Sequence, residues 1–148
     1  MRLLFLLDAA KDRPSDVQRL VAYDYLLVHS GDVENGPQSL HPAVPFRGTE
    51  FLIKRDLIQD GLAQIFAREL VDKIFDKTGI SYRGNALTTA FCSLMTSHYA
   101  TELRLRAEWV ILNFSSLSNV DLSNYMNENV GHWGAEFDRQ TALNQLEL

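Results

Sequence analysis

The chain predicts an α+β fold, mainly α: a winged-helix-like domain with a small antiparallel β-sheet and a long helix near 86–114. Three observations carry that expectation. Apolar residues recur at three- and four-residue spacing on both sides of the middle of the chain, which marks amphipathic helices. LVDKIF, DKTG and ISYR follow one another as strand, tight turn and strand. Asn85 then stands before a long run of helical periodicity, where its side chain can accept from the first backbone amides. The order helix, strand, helix, hairpin, helix is that of a winged helix, although only one helix separates the first strand from the hairpin. A full helix-turn-helix is therefore not established.

Taken in order, Met1 to Ala10 predicts a short helix whose run Leu3 to Leu7 packs on the body, and five successive apolar residues equally suit a buried strand. Pro14 ends that element. Ser15 and Gln18 form an S-x-x-Q capping box, so a helix begins there and runs to about His29. On it Val17, Leu20, Val21, Leu27 and Val28 share one stripe with Asp24. A carboxylate at such a position needs a partner, because an unpaired buried charge is costly. Arg104 and Arg106 are the expected partners in a structural ion pair.

Past the loop that follows, Glu50 to Lys54 (EFLIK) has the composition of a strand. Asp56 with Gln59 caps the next helix, whose Leu57, Ile58, Leu62, Ile65 and Phe66 keep helical spacing to about Arg68. Gly61 lies on the same side and permits close packing. After the hairpin, the helix from Ala86 to Phe114 is expected to turn Leu87, Phe91, Leu94, Met95, Tyr99, Leu103, Val110 and Phe114 inward. Ser115 to Asn119 reads as a loop, Asp121 or Ser123 as the start of a short helix to about Asn129. The division is thus a domain over 1–114 and a C-terminal helical tail over 115–148, packed on the domain or on a partner.

Composition bounds the class. With 148 residues, 46% hydrophobic and 22% charged, the chain is long enough for one domain with a real core. A net charge of −5 and a pI near 5.3 disfavour non-specific binding to nucleic acid. A single cysteine, Cys92, excludes an internal disulfide and fits a cytoplasmic protein. Leu3 to Leu7 is too short for a signal peptide, and no stretch approaches the ~20 apolar residues of a membrane span.

Between Ser30 and Pro45 lie Gly31, Gly36, Pro37, Pro42 and Pro45, which exclude regular structure there. Two readings are open. The residues His29, Ser30, Asp32, Ser39 and His41 serve as caps and turn formers, or the segment docks a partner, since so long a connection is often functional. Partner-binding candidates are His29, Asp32, Ser39, His41, Arg47, Arg55 and Trp133.

The phrases YDYLLVHSGD, SLHPAVPFRGTEFLIKR and GISY, with RAEW further on, resemble the small middle component of bacterial ABC-three-component systems, also called Lamassu-type defence systems. The likeness runs from about Leu20 to Phe114 and more loosely to Phe137. It implies a non-catalytic adapter that assembles with an SMC/Rad50-like coiled-coil ATPase and an effector nuclease against phage and plasmid DNA. DNA is then met mainly through the complex, and no membrane is involved. It implies no catalytic residue. Tyr23 to His29, Ser39 to Pro42, Arg47 to Arg55, Gly79 to Tyr82 and Arg106 to Trp109 belong to the family scaffold, and effector choice is assigned to the segment after Ser115.

Read on their own, the residues carry no catalytic or cofactor motif. His29, Asp32, His41, His98 and His132 lack the spacing of metal ligands. Ser30 and Ser39 lie near His29, His41 and Asp32, yet no G-x-S-x-G elbow accompanies them. Cys92 sits within apolar helix sequence and reads as a small core residue. No phosphate-binding glycine loop is present, so no cofactor is expected. Lys73, Lys77 and Arg83 would touch phosphate if the hairpin lay along a duplex, but Glu69, Asp72 and Asp76 are interleaved with them.

Three functions follow: the adapter, a stand-alone winged-helix DNA-binding regulator, and a small hydrolase using His29, Asp32 and His41. The regulator needs a basic recognition helix, whereas Asp56 and Asp60 open the candidate one.

Overall fold

Helix α1 (Arg2–Ala10) decides the ambiguity of the Leu3 to Leu7 run. At about 100° per residue, consecutive helical residues pass around the whole axis, and Leu3, Leu4, Phe5, Leu6 and Leu7 are all buried. Only enclosure on every side achieves that: α1 packs against α2 (Val17–Val28), α3 (Arg47–Ala67), α4 (Ala86–Ser93) and α5 (His98–Phe114). The hairpin of β1 (Asp72–Asp76) and β2 (Gly79–Arg83) stands between α3 and α4, and a last helix, α6, covers 119–129. The computed structural model describes residues 1–42 and 47–129, and the side chains of all of these but 47–53. The fold is thus mainly α with one two-stranded antiparallel sheet. Among the described residues no helix is long and apolar enough to cross a membrane.

Helix α2 is enclosed as fully as α1, since every residue from Leu20 to Val28 is buried. Each such Leu or Val contributes about 1.5–3 kcal/mol of apolar burial, which makes the α1 and α2 pair the centre of the core. Its N-cap is Asp16, one residue later than expected: the carboxylate accepts from the Arg19 amide at 2.8 Å. Ser15 is drawn away from capping because its amide and carbonyl pair with Tyr82 of β2.

The expected strand at Glu50 to Lys54 is helix, the early part of α3. Its apolar content suits either element, and packing decides. Lys54, Ile58 and Leu62 are buried and Ile65 is half-buried, so the helical period reaches back into EFLIK and Asp56 caps nothing. Leu57 and Phe66, expected inward, are exposed. Gly61 does permit close approach, since a Cβ there would lie 3.1 Å from Leu3 Cδ1. The winged-helix order required the 50–54 strand, and among the described residues β1 and β2 make the whole sheet.

The end of α3 is a Schellman turn. Leu70 N–H reaches the Ile65 carbonyl and Glu69 N–H the Phe66 carbonyl, both at 2.9 Å, with Glu69 left-handed at φ 62. The hairpin has the expected place. Asp76 closes its turn by accepting from the Thr78 amide at 2.7 Å and from its hydroxyl.

Asn85 caps α4 as expected, in a capping box with Thr88. The long helix to Phe114, however, is two helices. Leu94 ends α4, and Ser97 starts α5 by accepting from the Ala100 amide at 3.1 Å. The break is held by Arg104, whose guanidinium donates to the carbonyls of Cys92 at 2.9 Å and Met95 at 3.4 Å and stacks over Phe5. A break re-phases the helical faces: Leu87, Phe91, Leu94 and Tyr99 are exposed, while Leu103, Val110 and Phe114 are buried.

Helix α6 begins two residues before Asp121, with the Ser118 hydroxyl accepting from the Asp121 amide. Leu122 and Met126 bury it in the core. Arg19 ties this end to α2, donating to Tyr23 Oη, Asn119 Oδ1 and the Leu117 carbonyl.

Candidate interaction surface

The described part of the loop after α2, residues 29–42, is bound inward. Leu40 and His41 amides both donate to the Val28 carbonyl, at 3.0 and 3.1 Å. The Gly31 amide donates to Ser39 Oγ at 2.9 Å, and Ser30 Oγ to the Gln38 carbonyl at 3.3 Å. Gln38 is held again from α5, where Arg106 brings Nε and a terminal nitrogen to its carbonyl at 2.9 and 2.8 Å. The remaining Arg106 nitrogen pairs with Glu102. Gly36 sits where a Cβ would come within 2.2 Å of the Ser30 carbonyl oxygen and 3.1 Å of the Trp109 ring. This site tolerates no side chain.

The candidates on that loop are therefore structural in their observed contacts. His29 is buried at the C-cap of α2, its ring 4.9 Å from that of Tyr25. Asp32 accepts from the Tyr25 hydroxyl at 2.8 Å. His41 meets Tyr99 of α5, Nε2 to hydroxyl 2.8 Å, with the rings stacked. His29 and Asp32 thus both meet Tyr25, and His41 meets Tyr99. Among the described residues no cluster of three His, Cys, Asp or Glu is placed to hold a metal. Arg55 is exposed and donates to Gln18. Arg47 opens α3, with its side chain outside the described ones, and Trp133 lies outside the described residues.

Asp24 is 1% exposed, and its partners are not Arg104 or Arg106. Arg2 approaches both carboxylate oxygens, Nε to Oδ1 at 2.8 Å and a terminal nitrogen to Oδ2 at 3.0 Å, and Lys54 lies 3.4 Å from Oδ2. Only the Oδ2 contact with Arg2 has hydrogen-bond alignment, so charge attraction carries the rest. The sequence stripe misled here because α2 is wrapped on all sides, and Asp24 faces α1 and α3 rather than α5. Both arginines expected for it hold carbonyls instead. Cys92 is buried as expected, and burial, followed by the charge of Asp8, pushes its thiol up to about 11. It is a poor nucleophile near neutral pH.

Exposed apolar side chains lie elsewhere. At the hairpin, Phe75 is 72% and Ile80 45% exposed, directly opposite each other across the strands. Lys73 turns its ammonium over the Phe66 ring at 4.1 Å, and Arg83 lies 3.8 Å from Asp72. Lys77 occupies the turn. Two of the three candidate phosphate contacts are thus engaged within the hairpin's own surroundings. On α4, Leu87, Phe91 and Leu94 follow at helical spacing and are all exposed. Composition gave no signal for either patch, since both consist of residues that periodicity alone turns inward.

Compared with protein-family models, residues 1–136 match the family described as ABC-three component (ABC-3C) system Middle Component 2. No curated protein and no solved structure matches the chain.

Proposed function

Because the chain belongs to the Middle Component 2 family of ABC-three component systems, we propose that it is the system's non-catalytic adapter, joining a coiled-coil ATPase of SMC type to an effector, a nuclease, in defence against phage and plasmid DNA of the Lamassu kind. The observation that carries this reading is the family match, which spans the described domain from end to end. The geometry is in keeping with it: the polar residues that would have to do chemistry are engaged in holding the loop, and exposed apolar side chains stand on the hairpin and at α4, as they do at Leu57, Leu105, Leu112 and Val120. Exposed apolar patches of this kind mark interaction sites more often than catalytic ones.

The test is capture of the tagged chain from its native operon, followed by size exclusion and mass spectrometry. Co-elution with a long coiled-coil ATPase and a second, nuclease-like protein is the expected result. A free monomer that shifts DNA by itself would instead favour the stand-alone regulator and sink the adapter.

A further inference from the structure

The register of the hairpin determines where its backbone groups point. Lys73 lies opposite Tyr82, and Phe75 opposite Ile80. Tyr82 gives its amide to the Ser15 carbonyl at 2.8 Å and takes the Ser15 amide on its own carbonyl at 2.9 Å, so both groups face away from β1. Directly opposed residues of an antiparallel pair turn their backbone groups both inward or both outward. Lys73 therefore points its amide and carbonyl away from β2, and the two-residue period of a strand does the same for Phe75. Among the described residues nothing bonds to these four groups. Among the described residues, the outer edge of β2 is closed by Ser15, while the outer edge of β1 is open.

We propose that this open edge of β1 is a docking site for an extended segment of another component of the system, which adds to the hairpin as a third strand; the proposal rests on the adapter reading. Unpaired amides and carbonyls at strand spacing are complementary to extended main chain, and the exposed Phe75 and Ile80 pair supplies the apolar contact beside it.

A second copy of this chain is the poorer occupant. The outward groups at 73 and 75 allow three two-fold pairings of β1 with itself. Centred on Ile74, Asp72 faces Asp76 of the other copy at both ends. Centred on Lys73 it faces itself, and centred on Phe75 it sets Lys73 against Lys77. Every register opposes like charges, which destabilises a strand pair. The segment that fits carries basic residues four apart, opposite Asp72 and Asp76, with an apolar residue opposite Phe75.

The experiment co-expresses the tagged chain with its operon neighbours and compares the wild type with Phe75→Pro and Phe75→Thr. Proline removes an outward amide without touching the bonds to β2, whereas threonine keeps that amide. Capture of the docked component is expected to fall at least about tenfold for Phe75→Pro and no more than about threefold for Phe75→Thr.

Wild-type capture with Phe75→Pro overturns the edge and leaves the adapter standing. A wild-type chain that captures no component overturns both. A chain that dimerises alone, and is made monomeric by Phe75→Pro, overturns the proposal in favour of a second copy. Intact assembly with lost DNA retention overturns it in favour of a wing on DNA. Should Phe75→Pro not fold, amide exchange on the wild type decides: the Lys73 and Phe75 amides are expected to exchange at least about tenfold slower in the complex than in the free chain. Equal rates overturn the proposal.

Discussion

The loop over residues 29–42 and the hairpin over residues 72–83 differ in one physical respect. The loop, rich in glycine, proline, serine and histidine, has the composition of a docking segment, yet its carbonyls and amides are consumed by Val28, Ser39 and Arg106. The hairpin has the composition of an ordinary turn between strands, yet among the described residues nothing bonds to the backbone groups of one of its edges. Every buried backbone polar group must find a partner. Where the chain supplies those partners itself, the segment is structure, and backbone groups left at an exposed strand edge are met by water unless another strand covers them.

Removing Arg106 is the strongest way to break that comparison. Arg106→Leu keeps the apolar stem, loses both bonds to the Gln38 carbonyl and leaves Glu102 without its cation, so a loss of about 3 kcal/mol is expected. For a chain of this length that is a fall of roughly 10 °C in Tm. An unchanged Tm would mean that the bonds from Arg106 do not pin the loop. Gly36→Ala comes next, at about 2 kcal/mol, because its Cβ has to displace the Ser30 carbonyl rather than the end of a flexible side chain. Thermal melts of both variants measure these effects directly.

What was legible in the sequence was local. The hairpin, the Asn85 cap and the helical α2 follow from turn chemistry, capping and spacing within a few residues, whereas the Leu3 to Leu7 run suits helix and strand alike. The misreadings come from contacts that no local pattern carries. The strand expected at Glu50 to Lys54 is helix because Lys54 and Ile58 are buried against distant parts of the chain. The break at residues 94–97 depends on Arg104 folding back to the carbonyls of Cys92 and Met95. Asp24 found Arg2 and Lys54 rather than the arginines of α5. The composition of the loop marks it as unusual, but its role is decided by Arg106, 68 residues away from Gln38.

A smaller effect sharpens the boundary on the hairpin's side. Glu69 holds the left-handed position that ends α3, where glycine is the usual residue and a Cβ is strained. Its carbonyl also accepts from Asn85 at 3.0 Å, so the turn links α3, the hairpin and the cap of α4. Glu69→Gly keeps that backbone bond and relieves the strain, and a gain of about 0.5–1 kcal/mol is expected in denaturant unfolding. A loss would show that the Glu69 side chain does something its exposure does not suggest.

The smallest effect belongs to an exposed aromatic residue of the hairpin. Phe75 buries little in the free chain, and threonine suits an exposed strand position, so Phe75→Thr should change unfolding free energy by no more than about 0.5 kcal/mol. An aromatic side chain that the fold does not need is costly to keep in water, and its neighbour across the strands is equally exposed. A loss above about 1.5 kcal/mol in urea unfolding would mean that Phe75 packs in solution, and the hairpin would then join the loop as structure. A neutral result, set beside the large loss at Arg106, would show that the loop's contacts hold the domain together while the Phe75 side chain adds nothing to its stability.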